Sequence, residues 1–404
     1  MALPPTHARA VSWEEARRQV IDAVQKSSVR RTTETVPLMQ AHGRICAADI
    51  TADRDYPALA RSLRDGFAIH SSDAPGSLTI AGEVRAGDTE SSPLPNQHAL
   101  EIMTGAPVPE GADAVVMVEH VERDGTTVRI AQSARPGQFI NVKAAEAQKG
   151  AVLVPAGTRL DASHVSTLAM TGHTGVSVFQ KPTVAILATG DEIVDVSDTP
   201  KPHQIRNSNS YGLASLVIAA GGKAAILPVA SDREEDLTPL LERGLTYDLL
   251  LISGGVSAGK YDLVKPCLRS LGTEFVFERV RMQPGQPTAF GAANGKFVFG
   301  LPGNPGSSMV TFQLFARAAI ELLAGRSESP LPVVYAPFES PFEHKPGLTR
   351  FLPARLGEDG SLKHIPWQGS SDVPALARAN VYLIADEDRQ RWDPGEFIRV
   401  IPKL

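Results

Sequence analysis

Cysteine is almost absent. Cys46 and Cys267 alone exclude a disulfide framework and any four-cysteine zinc or iron–sulfur site, and they suit a reducing compartment. No apolar run approaches the roughly 18 residues of a membrane span, and the opening MALPPTHARAVSWEEARR has no apolar stretch before a small-residue cleavage site. A cytoplasmic protein with no membrane partner is expected. Positive charge is also in short supply: Lys plus Arg is 40 against 45 Asp plus Glu, a formal balance of −5. Without a basic excess, nucleic acid is not an expected partner, and any site for a polyanion must be local. The ten histidines show neither H-x-x-x-H nor H-E-x-x-H spacing, and the chain has neither G-x-G-x-x-G nor a P-loop GK[ST].

What is present is a chain of 404 residues, enough for two to four domains at about 150 residues each. With 34 glycines and 31 prolines it must turn often, so loops are the expected carriers of chemistry. Ser12 and Glu15 have capping-box spacing, and Trp13, Ala16, Val20, Ile21 and Val24 follow at helical intervals, predicting a helix over about 12–26. From about 50 to 140 the runs SLTIAGEV, HALEIM and AVVMVEHV read as strands, with Asp124 and Gly125 turning a hairpin into TVRI. A strand AVLVPAG, a helix from near Asp161 and a strand VSVFQ precede Lys181 and Pro182. The expected division is a platform of 1–50 plus 141–181, an inserted β-rich domain at 51–140, an α/β domain at 182–328 and a small C-terminal β-barrel or sandwich at 329–404.

Within 183–323, short Val- and Ile-rich runs alternate with helical segments, the pattern of a parallel sheet covered on both faces. Its last helix, Pro305 to about Leu323, carries Gln313, Arg317 and Glu321 on one polar stripe. Ligands bind such sheets at the carboxyl ends of the strands. The loops there are ATGDE (Thr189, Gly190, Asp191, Glu192), ASD (Ser231, Asp232), GGVSAGKYD (Gly254 to Asp262) and GLPGNP (Gly300 to Pro305). Glycine loops can aim N–H groups at an anion, whereas the carboxylates of Asp191, Glu192, Asp232 and Asp262 would repel it unless a hard cation sits between, so a phosphate-bearing ligand with Mg2+ is expected. Asn304 as N-cap and Pro305 at the first helical position would leave free N–H groups for an anion, or serve only as turn and cap. GVSAG also fits a nucleophile elbow at Ser257, but Lys260 and Tyr261 intervene before the expected cap Asp262.

Several motifs in order resemble the molybdopterin molybdenumtransferases, the family that includes the E domain of gephyrin. They are DGFA at 65–68, TGAPVPEGADAVV at 104–116, PAGTRL at 155–160, TGDE at 189–192, SGGVSAGKYD at 253–262, PGQPTAFG at 284–291 and GLPGNP at 300–305. The resemblance implies an elongated homodimer that inserts molybdate into adenylylated molybdopterin with Mg2+-dependent release of AMP. A molybdopterin adenylyltransferase is then the expected partner. It implies catalytic roles for Asp65, Thr104 and Glu192, with Asp65 and Thr104 facing the strand-end loops of the other protomer. Pterin- or nucleotide-side positions would be Thr189, Gly190, Asp232, Gly254, Gly255, Ser257, Lys260, Asp262, Pro302 and Pro305.

The chain departs from the family pattern where lysines are usual and Gln283 and Gln286 stand, where a loop acid is replaced by Lys260, and where a serine is replaced by Ala375. The run NVKAAE leaves Glu146 as the acid nearest the usual Asp-ended segment. These changes keep open an alternative, a catalytically weak, gephyrin-like dimeric scaffold for another protein.

Overall fold

The computed structural model describes residues 10–27, 31–88, 92–255 and 263–404. The first helix is Trp13–Lys26, with Ser12 Oγ accepting from the Glu15 N–H at 3.1 Å. Glu15 does not complete the box; its carboxylate turns to Arg18 and Gln19. Trp13, Ala16, Val20 and Val24 are buried as their spacing requires, but not against 141–181. They share one core with Val184, Leu249, Phe299 and Ile320 of the α/β layer and with Phe351 and Ile384 of the C-terminal sheet. Trp13 meets Phe351 edge to face at 5.4 Å, a contact worth about 0.5–1.5 kcal/mol beyond burial. The helix expected with the platform thus packs on the α/β and C-terminal layers. An apolar face fixes that a helix docks, not where.

Strand Thr33–Pro37 pairs with Gly175–Phe179, and Ile50–Thr51 pairs with Val152–Val154, so segments on either side of 52–147 close on each other around Cys46, Leu160 and Leu168. Between them a six-stranded sheet contains Gly66–Ile69, Gly76–Val84, His98–Ile102, Ala114–Met117, Val121–Asp124 and Thr127–Ile130. Thr127 lies opposite Asp124, so Gly125 and Thr126 form the hairpin loop, and Gly125 takes the φ of +57° that this turn favours.

The α/β sheet has Lys223–Ile226, Thr183–Ala188, Leu249–Ser253 and Lys296–Leu301 in parallel. Two further strands, Ala289–Ala293 and Glu274–Phe277, extend it antiparallel, so the expected parallel sheet is a mixed one. Helices Ser208–Ala219, Glu234–Gly244 and Val264–Ser270 cover it. The last helix starts at Pro305, as expected, but widens to a π-helical turn over Phe312–Ala316 before continuing as Arg317–Leu323. A carbonyl there, that of Leu314, accepts from the Arg17 guanidinium. Its polar stripe faces inward: Gln313 Nε2 donates to the Pro402 carbonyl at 3.0 Å, and Glu321 is 1% exposed.

In the C-terminal unit, Leu362–His364, Thr349–Leu356, Val381–Ala385, Phe397–Pro402 and Val334–Pro337 pair in sequence, and a bridge between Phe338 and Leu362 closes them into a small barrel. Leu352, Leu383, Trp392 and Val400 fill it, while Tyr382, Ile384 and Ile401, on alternate positions, pack outward on the α/β layer. Two-sided burial explains why VYLIA is apolar throughout. Among the described residues no helix is long and apolar enough to cross a membrane.

Candidate active site

The carboxyl ends of the parallel strands open into a cleft of about 500 Å³. It is lined by Thr189, Gly190, Glu192, Asp232, Gly254, Gly255, Pro302 and Pro305, all expected from the sequence. Hydrogen bonds tie neighbouring strand ends together: the Thr189 N–H donates to the Ser253 carbonyl, that of Gly190 to Ala230, and that of Gly254 to Leu301, each at 3.1 Å. Gly254 and Gly255 have φ of +97° and +62°. A Cβ at Gly254 would stand 2.7 Å from the Thr189 carbonyl oxygen, and one at Gly255 would stand 2.8 Å from Thr189 Oγ1. Only glycine lets the two loops meet so closely. Ser257, Lys260 and Asp262, the remainder of that loop, lie outside the described residues.

Sequence reasoning missed one wall of the cleft. Arg206, Asn207, Ser208 and Asn209 line it, at the start of the helix Ser208–Ala219, together with Pro287. Asn207 caps that helix by accepting from the Ser210 N–H at 3.1 Å. Asn209 Nδ2 donates to Ser253 Oγ at 2.7 Å and to the Gly303 carbonyl at 2.6 Å, clamping the end of one strand to the GNP loop. The available signal was the polar run RNSNS directly before an apolar helix, which also reads as an ordinary cap. Within the cleft wall, Asn209 Oδ1 and Thr189 Oγ1 are buried without a hydrogen-bond partner among the described residues.

The acidic residues are partly assembled. Asp191 Oδ1 accepts from the Asp232 N–H at 3.2 Å, and Glu192 stands over Gly190. Burial pushes the Asp232 carboxyl above its usual range; the Asp191 charge adds to this, the Asp191 backbone N–H offsets part of it, and Glu192 raises it further. No described Lys, Arg or His forms an ion pair with any of the three. Nor, among the described residues, do three His, Cys, Asp or Glu side chains converge on one point, so the expected cage of Asp191, Glu192, Asp232 and Asp262 is not preassembled there, and Asp262 falls outside the described residues. The donors present are the carboxylates of Asp191, Glu192 and Asp232, hard oxygen ligands. Mg2+ is commonly held by one or two carboxylates plus substrate phosphate and water.

Two expectations change at the helix start. Asn304 occupies the N-cap position, but its side chain does not cap the helix; it donates to Ser370 Oγ at 2.9 Å. The Gly306 N–H donates to the Ser370 carbonyl at 2.7 Å, so this amide is not free for an anion. Ala375 is fully buried beside Ile365 and Ala379. Gln283 and Gln286 are exposed.

Asp65 and Thr104 do come together, beside the ends of strands Gly66–Ile69 and His98–Ile102 of the six-stranded sheet, and neither lines the cleft of its own chain. Asp65 Oδ1 accepts from the Thr104 N–H at 2.6 Å and from Thr104 Oγ1 at 2.9 Å. That N–H first, and then the hydroxyl, hold the Asp65 carboxyl below its usual range, so it is ionised at neutral pH.

Comparison with known proteins covers this arrangement from end to end. Residues 11–172 match the MoeA N-terminal region (domain I and II), residues 185–322 a probable molybdopterin binding domain, and residues 335–403 the MoeA C-terminal region (domain IV). A molybdopterin molybdenumtransferase of Bacillus subtilis is 34% identical over 385 residues, which is 91% of this chain and 89% of that one. One from Nostoc is 36% identical over 325 residues, 78% of this chain and 74% of that one. A solved molybdopterin biosynthesis moeA protein from Pyrococcus horikoshii superposes with a TM-score of 0.82 at 28% identity, covering 98% of this chain and 100% of that chain. With all three regions matched in order and the strand-end cleft inside the molybdopterin-binding match, the chain belongs to the molybdopterin molybdenumtransferase family, transferases of molybdenum cofactor biosynthesis.

Proposed function

We propose that the chain inserts molybdate into the dithiolene of adenylylated molybdopterin, with Mg2+-dependent cleavage of the pyrophosphate link and release of AMP. The observation that carries this reading is the cleft itself, where glycine loops suited to a phosphate adjoin carboxylates that have no described cationic partner. Mg2+ bound there, held by Asp232 with Asp191 or Glu192, would neutralise charge on phosphoryl oxygens. The Gly190 and Gly254–Gly255 turns set the shape of the phosphate pocket, and Arg206 supplies a cation on its wall. Thr104 holds Asp65 ionised and oriented, and a second copy of the chain would bring that carboxylate over the cleft. We therefore read the protein as a cytoplasmic homodimer supplied by a molybdopterin adenylyltransferase. The division into a 51–140 insert between 1–50 and 141–181, an α/β domain at 182–328 and a barrel at 329–404 belongs to the same proposal, with the first helix assigned to the α/β layer by its packing.

Purified protein given adenylylated molybdopterin, Mg2+ and molybdate is expected to release AMP, and to stop when either ion is withheld. Tight binding without release would favour the scaffold reading raised by Gln283 and Gln286. A second expectation concerns the glycine loop. Gly254→Ala forces a side chain into a left-handed backbone, a strain of about 1–2 kcal/mol, and into the Thr189 carbonyl. Molybdopterin affinity measured by titration calorimetry should fall roughly tenfold or more. Unchanged affinity would remove this loop from the site.

A further inference from the structure

The helix that begins at Pro305 is not capped by its own chain neighbours. Its N-cap residue, Asn304, sends its side chain to Ser370 Oγ at 2.9 Å, and the amide of Gly306 is satisfied by the Ser370 carbonyl at 2.7 Å. Both partners belong to the C-terminal unit. The turn that presents Ser370 is itself well built: Asp372 accepts from the Gln368 N–H at 3.1 Å and from the Ala375 N–H at 3.0 Å, and the Asp372 N–H donates to the Gly369 carbonyl at 3.0 Å. Contact between the two units is tight enough to exclude a methyl group. A Cβ at Gly306 would stand 2.8 Å from the Ser370 carbonyl oxygen, 3.1 Å from Trp367 and 3.3 Å from Leu376. Glycine near a helix start costs propensity, and here close approach of the barrel explains its presence.

Asn304 and Pro305 line the cleft, whereas Ser370 does not. We propose that Asn304 and Ser370 form a latch through which the C-terminal barrel sets the position of the cleft's helix wall, making both positioning residues for molybdopterin binding. The inference rests on the cleft being the molybdopterin site. Removing either side chain leaves the Gly306–Ser370 backbone bond in place, so the fold survives while the wall loosens. Because the two side chains act as one contact, their effects are not additive.

The test uses the full-length protein and two readouts. In ligand-free protein, amide exchange over 304–308 should quicken about threefold or more in Asn304→Ala and in Ser370→Ala, as expected for one lost hydrogen bond. The double variant should be no faster than either single one, and the exchanged pair, Asn304→Ser with Ser370→Asn, should return toward wild type. Molybdopterin affinity, read by titration, should weaken by a similar factor with the same non-additivity and the same rescue. Exchange that is unchanged in both single variants, or multiplicative in the double variant, overturns the latch. Faster exchange with unaltered affinity overturns the positioning role. If wild-type protein does not bind molybdopterin, the functional reading and the positioning role fail together, while exchange still reports whether the latch exists.

Discussion

Glu321→Ala is expected to destabilise the protein by about 3–5 kcal/mol. Glu321 is 1% exposed and lies at the centre of a network that joins three separate segments. Its Oε1 accepts from Arg317 Nε at 2.9 Å, and its Oε2 accepts from Arg326 at 2.9 Å and from Ser329 Oγ at 2.7 Å. Arg17, from the first helix, completes the surroundings by donating to the carbonyls of Leu314 and Ser329. Removing the carboxylate strands guanidinium charge in a region shielded from water. Truncating one partner of a buried pair costs more than the pair itself contributes, because the remaining charge stays buried.

Proton linkage adds a direction to that expectation. Burial pushes the Glu321 carboxyl up, but the charges of Arg317 and Arg326 and the Ser329 hydroxyl outweigh it and hold the carboxyl below its usual range. A carboxylate whose folded pKa is depressed stabilises the fold above its unfolded value, about 4.3 for Glu, and loses that contribution as pH falls through the folded value. Urea unfolding of wild type and Glu321→Ala should therefore differ most near neutral pH and converge in acid. A constant gap across that range, or a neutral-pH gap below about 1 kcal/mol, would show that the network adds little beyond packing.

That network also marks where sequence reading stops. Gln313, Arg317 and Glu321 recur every four residues and form a polar stripe, which on most helices faces water. Arg326 and Ser329 are near in sequence, but the groups that cover the stripe, the Pro402 carbonyl on Gln313 and Arg17 beside Leu314 and Ser329, come from distant parts of the chain, so its burial cannot be read from the helix. The first helix teaches the same lesson, since Ser12 and the Trp13–Val24 spacing locate it while its docking surface depends on the finished α/β layer. Elements held by local physics were readable: the Gly125 hairpin, the parallel apolar strands and the closing barrel strands with their alternating faces. The antiparallel strands 274–277 and 289–293 were not, because the direction in which a short strand joins a sheet is set by its partners and leaves no mark in its own residues. At the site, Gly190, Gly254 and Gly255 stood out because their backbone leaves little choice of residue. Arg206 to Asn209 did not, since Asn and Ser before a helix are what any cap requires.

Asp65→Ala is expected to abolish AMP release, by a factor of 100 or more on the scale of a lost electrostatic group about 2.7 kcal/mol in size, without loss of fold. The carboxylate is exposed and, among the described residues, is held by Thr104, so no core depends on it. Glu192→Gln should abolish release as well, from the opposite side: it removes an acid that lines the cleft while keeping its shape. In one chain Asp65 does not line that cleft, and the proposed dimer makes a distinctive prediction from this separation. If each site takes Asp65 from one copy and Glu192 from the other, a mixture of the two inactive variants regains activity. Random exchange in a 1:1 mixture makes half the dimers mixed, and each mixed dimer holds one intact site and one doubly defective site, so about a quarter of wild-type turnover should return. Subunits must be exchanged by dilute denaturant and refolding, or co-expressed with two tags, before the assay. Recovery near a quarter locates Asp65 and Glu192 of one site on different chains. No recovery from confirmed mixed dimers would mean that both residues of a site come from the same chain, and Asp65 would then have to reach its own cleft by a movement of the six-stranded sheet.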